Sequence, residues 1–206
     1  TNMIYFKKNF FLVFLTVYSF YCPSLLANQS THKIEVLVND NIITNYDIAQ
    51  HFAINSIIEN ITVSNENGDF LYKKTINGLI DMKLKQIKIN EYNITIEEEN
   101  NDYYENYFFQ SRGLDKNKVY EIIEKNNLDI NILKEKINTS IAWEQLTAGL
   151  FLHTISISEI EISELLKIDD SLTPELAERI LTNKQVQLKS DKYLRDLRAE
   201  ANIERR

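Results

Sequence analysis

The sequence predicts a mainly α-helical fold with a small β element, on three observations. Apolar residues recur three and four apart through most of the chain, as on one helix face; Ile76, Leu79, Ile80, Leu84 and Ile87 are one such run. Helix-start signals precede these runs. Thr44-x-x-Asp47, Thr95-x-x-Glu98 and Ser158-x-x-Glu161 each pair a capping hydroxyl with an acidic residue at the third helical position, which satisfies two orphan backbone donors at once. Finally, only 4 Gly and 2 Pro occur in 206 residues, too few for the turns of an all-β fold.

The β element is predicted at the start of the folded region. Ile34, Val36 and Val38 alternate onto one face, as in a half-buried strand. Asn39-Asp40-Asn41 reads as a tight turn, because these side chains tolerate left-handed backbone and bond their own main chain. Ile42-Ile43 return as a second strand. A lone hairpin is marginal in water, and the rest of the chain offers one strand candidate. Ile203, in the tail 201–206, is expected to pair beside the hairpin and bring the two distant segments together.

The helices follow in order. Ile48, Phe52, Ile54, Ile57, Ile58 and Ile61 predict the first. A polar stretch ending in Asn67-Gly68 reads as a loop. A long helix is expected over 69–92, with Asn93 as its left-handed cap. Thr95-x-x-Glu98 starts a helix to about Ser111, stopped by Gly113. Asp115 caps a short helix holding Val119, Ile122 and Ile123, which Asn126-Asn127 break. Asp129 caps the next, expected over 130–154. Its second half is apolar on both sides, with Ile141 and Ala148 on one face and Trp143, Leu146 and Leu150 on the other, so it should be central and buried. After Ser158-x-x-Glu161 and a brief acidic linker at 169–173, Thr173-Pro174 is a strong start for the last helix, since proline suits the first helical position.

Hydrophobic content of 44% and charged content of 26% describe a folding chain. Net charge of −7 argues against nucleic acid as a partner, because neutralising phosphates needs a basic surface. Lys7-Lys8, the uncharged run 9–21 and Leu25-Leu26-Ala27 have the pattern of a secretory signal peptide over 1–27. Cleavage there would remove the single cysteine, Cys22, and with it any disulfide or thiol chemistry. Left uncleaved, the same segment would anchor the chain in a membrane.

Residues for catalysis are not apparent. His32, His51 and His153 are scattered, without a carboxylate or second histidine at metal-ligand spacing, and read as surface or packing residues. Glu97-Glu98-Glu99 falls in a first helical turn, where the helix dipole favours negative charge. No phosphate loop, dinucleotide fingerprint or nucleophile elbow occurs. The chain is expected to bind no metal and no cofactor and to have no catalytic residue.

The feature that asks for a function is aromatic. Tyr103, Tyr104, Tyr107, Phe108 and Phe109 fall within seven residues, and no single helix face can hold them all. Tyr103 and Tyr107 share a face while Phe109 points elsewhere. One reading is core packing plus ordinary surface tyrosines. The other is an exposed aromatic surface that binds apolar peptides, since such patches mark interaction sites.

The hairpin Val36-Leu-Val-Asn-Asp-Asn-Ile-Ile-Thr-Asn-Tyr-Asp47, the helix Ile76-Asn-Gly-Leu-Ile-Asp-Met-Lys-Leu-Lys-Gln-Ile87 and the turn Asn93-Ile-Thr-Ile-Glu-Glu98 come in a characteristic order. With 133–146, 155–161 and 193–204 after them, they resemble the N-terminal chaperone domain of SurA-type periplasmic proteins, relatives of the parvulin peptidyl-prolyl isomerases. The resemblance implies a chaperone core over 28–168 and a terminal helix and strand, 174–206, packing back on it. It also implies a periplasmic, ATP-independent holdase for unfolded, aromatic-rich segments, above all of outer-membrane proteins. Tyr103, Tyr104, Tyr107, Phe108, Phe109 and Trp143 are then the candidate client-binding residues.

One departure bears on activity. A parvulin domain needs roughly a hundred residues, yet only a few separate Ile168 from Thr173, and no glycine follows Gly149. Isomerase activity therefore rests on the family label alone. The other alternative is an assembly partner of one fixed protein, anchored through an uncleaved signal.

Overall fold

Val38 and Ile203 face each other across a strand pair that joins the two ends of the folded chain. A computed structural model describes residues 32–97 and 101–206; the expected signal segment lies outside the described residues, as do Glu98 and Glu99. Strand β1 (Ile34–Val38) pairs antiparallel with β2 (Asn41–Thr44) and, on its other edge, with β3 (Ile203–Arg205). The sheet order is β2-β1-β3. The expected strand at Ile203 is thus present. Asn39 takes the left-handed conformation in the hairpin turn, with φ 52°.

Among the described residues seven α-helices follow: α1 (Asn45–Ile58), α2 (Gly68–Glu91), α3 (Asn101–Gln110), α4 (Lys116–Lys125), α5 (Ile130–Phe151), α6 (Glu159–Ile168) and α7 (Pro174–Glu200). The fold is mainly α with a small three-stranded antiparallel sheet. Capping boxes at Thr44 with Asp47 and at Ser158 with Glu161 start α1 and α6. Asp115, Asp129 and Thr173 cap α4, α5 and α7 with their side-chain oxygens. The helix expected from Thr95 does not begin there: Ile96 and Glu97 are not helical and α3 starts at Asn101, while Glu98, the expected partner of Thr95, lies outside the described residues. Two further boundaries differ from the sequence reading. Gly68 begins α2 instead of ending a loop, and α5 tightens at Leu152–Thr154 into a 3₁₀ turn.

One device closes four helices. Asn60, Asn93, Gly113 and Asn127 stand at φ 50°, 53°, 64° and 52° after α1, α2, α3 and α4. The next residue then donates its N–H to the carbonyl five positions back: Ile61 to Ser56, Ile94 to Ile89, Leu114 to Phe109 and Leu128 to Ile123, at 2.9–3.0 Å. This is the Schellman arrangement, and after α2, α3 and α4 the two residues also belong to one apolar cluster. Asparagine pays the smallest steric cost after glycine for left-handed backbone, so a chain with few glycines can still stop its helices.

Three apolar clusters form the core. Val36, Val38, Ile43 and Ile48 pack with Leu79, Ile80 and Leu84 of α2, and Leu194, Ala201 and Ile203 close over them. Ile54, Phe108, Phe109, Val119, Ile123, Leu133 and Ile137 join α1, α3, α4 and α5. Ile89, Ala142, Trp143 and Leu146 make the third, covered by Tyr193, Leu194 and Leu197 of α7. Helix α5 contributes to two of these clusters, in accord with its apolar faces in the sequence.

Helix α7 is tied to the body by polar contacts as well. Trp143 Nε1 donates to Ser190 Oγ at 2.9 Å, with both groups buried, and the indole stacks on Tyr193 at 5.7 Å. The Arg198 guanidinium is ion-paired with Asp81 and donates to the Asn77 side chain on α2. The residues 169–173 join α6 to α7, which pack together. No residue of α6 is fully buried.

Candidate functional site

The six aromatic residues singled out from the sequence do not form one surface. Phe108 and Phe109 are 3% and 1% exposed, and Trp143 is 5% exposed. The two phenylalanine rings meet edge to face at 5.4 Å, and Phe109 meets Tyr120 in the same way. Arg112 lies 3.8 Å over the Phe108 ring. Tyr104 is half-buried, and its hydroxyl accepts a hydrogen bond from Gln145 Nε2 at 3.0 Å. Only Tyr103 and Tyr107 point outward, at 67% and 54% exposure. A continuous aromatic surface over 103–109 is therefore corrected to two exposed tyrosines above a packed core. The physical reason is that α4 and α5 cover the face that carries Phe108 and Phe109.

Beneath this helix lies a buried acid with full compensation. Glu105 is 7% exposed, receives the Lys116 ammonium at 2.7 Å and accepts from the Tyr120 hydroxyl at 2.8 Å. Burial pushes its carboxyl up, but these two hydrogen bonds outweigh that and hold it below the ordinary value. The same burial and the Glu105 carboxylate push Tyr120 up. This trio ties α3 to α4, and its groups are already spoken for by one another.

A groove of about 460 Å³ opens elsewhere, between α2, α5 and the extended segment that follows α2. Its construction begins at Asn93. The left-handed turn there folds Ile94 back onto Ile89, and the chain then runs extended, so Ile94 and Ile96 turn inward while Thr95 and Glu97 stay exposed. With Ile87 and Ala142 they form the apolar wall.

The rim is made of amides. Asn41 from the hairpin, Asn90 from α2 and Asn138 from α5 line the opening, together with Gln86 and Glu135. Gln86 is engaged, donating to Glu135 Oε1 at 2.7 Å and to Thr139 Oγ1 at 3.2 Å. The side chains of Asn41, Asn90 and Asn138 make no hydrogen bond among the described residues. Each amide can donate and accept, so the groove has a mainly polar lining with unspent pairing groups around a small apolar patch.

None of the six aromatic residues lines this groove. Sequence reasoning passed over the asparagines because a surface amide carries no signal by itself. The one local hint was Asn93-Ile-Thr-Ile, a helix stop followed by alternation.

The histidines fall where packing and surface place them. His32 is exposed and meets Tyr46 edge to face at 5.1 Å; His153 is exposed in the 3₁₀ turn; His51 is buried. Among the described residues no group of three or more His, Cys, Asp or Glu is placed to hold a metal ion, and no helix is long and apolar enough to cross a membrane.

No protein-family model matches the chain, and no curated protein matches it.

Proposed function

We propose that this chain is a periplasmic, ATP-independent chaperone that holds extended segments of unfolded polypeptide, outer-membrane proteins above all. The observation that carries the reading is the groove between α2, α5 and residues 94–96. An unfolded segment presents alternating side chains and unpaired backbone N–H and C=O groups. An isoleucine wall with free amides on its rim answers both needs without demanding a sequence. The volume of about 460 Å³ lies within the range of roughly 300–1,000 Å³ usual for ligand sites. The resemblance of the hairpin, the long helix and the terminal helix to SurA-type chaperone domains supports the same reading. Binding should be weak and multi-site, because a disordered client loses entropy when it is ordered.

The groove, with Tyr103 and Tyr107 as an outlying apolar contact, replaces the wider aromatic set as the client surface. The test is light scattering of a chemically unfolded outer-membrane barrel protein diluted in the presence of the chain. Suppression is expected, and the variant Asn90→Glu/Asn138→Glu should lose most of it while melting normally. If the unaltered chain neither suppresses aggregation nor binds aromatic-rich peptides, the reading fails. Acceleration of proline isomerisation in a tetrapeptide substrate would favour the enzymatic alternative instead.

A further inference from the structure

A second cavity, of about 240 Å³, lies between α1, α2 and α5, and shares Thr139 with the groove. Its wall is unusual in charge. His51 and Asn55 come from α1, Asp81 and Lys85 from α2, and Lys136 and Ser140 from α5. Gly78 also lines it, and a Cβ built there would meet nothing within 4 Å, so this helix position borders open space.

Several partly exposed lysines of this chain are ion-paired, but those in this wall are not. Lys74, Lys88 and Lys116 are ion-paired with carboxylates. Neither Lys85 nor Lys136 makes an ion pair among the described residues. Lys136 donates to the Asn55 side chain, and Lys85 lies 5.6 Å over the Trp143 ring. Both are only partly exposed. The carboxylate that shares the cavity, Asp81, is already paired with Arg198. His51 is 6% exposed, and its imidazole makes no hydrogen bond among the described residues. A buried polar ring without a partner is uncommon in folded proteins, and such a group calls for an explanation.

We propose that this cavity binds a small oxyanion, a carboxylate or phosphate group, held between the Lys85 and Lys136 ammonium groups with the His51 imidazole and Ser140 hydroxyl as further donors. The chemistry is complementary: two partly buried ammonium groups without an ion pair gain from an anion placed beside them. Burial holds both lysines below their ordinary value, the direction in which a bound anion offers relief. Against it stand Asp81, in the wall itself, with Asp191 and Glu144 near Lys85, and Glu59 near Lys136, none of which reaches ion-pair distance with either lysine. The cavity holds roughly eight water volumes at about 30 Å³ each, room for an inorganic phosphate or a small dicarboxylate. The site meets the client groove only at Thr139, and it needs no polypeptide to be tested.

The full chain is titrated with inorganic phosphate and, in a second arm, with succinate, each against sodium chloride at equal ionic strength. At least one should raise the melting temperature saturably, and the arm that does so identifies the group. In ¹H–¹⁵N spectra the largest shifts should fall at Gly78, Lys136 and Ser140. Lys85→Met and Lys136→Met should each weaken binding tenfold or more, while melting near the unaltered chain when no anion is present. The proposal is overturned if neither anion differs from chloride, if the shifts fall elsewhere, or if both variants bind as the original does. Because the spectra use the unaltered chain, a variant that fails to fold does not decide the matter.

Discussion

Asn39 and Asn202 hold each other reciprocally across 163 residues of chain. The Asn39 backbone N–H donates to the Asn202 carbonyl at 2.8 Å, and the Asn202 N–H donates to Asn39 Oδ1 at 2.9 Å. A residue suited to its left-handed turn thus also receives the segment that leads into β3. Beside it Arg206 N donates to the Glu35 carbonyl at 2.9 Å, so the tail is held along its length.

Deleting 201–206 removes β3, the Ile203 contact and this clasp, and exposes one edge of β1. The expected cost is about 3 kcal/mol, from several hydrogen bonds and one half-buried side chain. For a chain of this size that lowers the melting temperature by about 6–12 °C. Thermal unfolding followed by circular dichroism measures it, and an unchanged midpoint would show that β3 contributes nothing.

The aromatic helix separates two kinds of residue that the sequence places side by side. Phe109→Ala should cost about 3–5 kcal/mol, since it opens a cavity in a closed core. Tyr103→Ser should stay within about 0.5 kcal/mol, because the side chain is largely in solvent. Urea unfolding monitored by Trp143, the single tryptophan, distinguishes them. Equal costs would contradict the burial of the one and the exposure of the other.

Stability should depend on pH through His51. Burial, joined by the nearby Lys136 and Lys83 and opposed by Asp47, pulls its pKa from 6.5 down to about 4. Between those values the unfolded chain takes up a proton that the folded chain refuses, so the histidine's effect is absent above about pH 6.5 and destabilises as pH falls towards 4. Over the whole interval the loss is about 3 kcal/mol. His51→Gln should flatten the slope between pH 5 and 7 in urea titrations, a window above most carboxylate titrations. An unaltered slope would remove His51 as its source.

How far the chain could be read from its sequence follows the range of the interactions involved. The capping pairs at Thr44 and Ser158 act over three residues and could be placed from type and spacing, although the same spacing at Thr95 starts no helix. The Asn93 stop is equally local. The pairing of Ile203 with the hairpin reached further, and it followed from elimination, since a hairpin needs cover and the chain held one candidate. By contrast, the faces of α3 could not be ranked. Tyrosine and phenylalanine both tolerate a core, and burial was decided by where α4 and α5 lay.

The sequence by itself determined the elements: a hairpin, seven helices with most of their starts and stops, that of α3 excepted, and a central α5 apolar on two sides. These depend on backbone preference and on periodicity, which neighbouring residues set among themselves. Only the tertiary structure decided the surfaces. Asn90 with Asn138, and Lys85 with Lys136, lie about fifty residues apart and share a cavity solely because α2 packs on α5. Packing between helices sums many weak contacts over their whole length. No short stretch of sequence carries that sum, so neither the amide rim nor the unpaired lysines were visible before the helices came together.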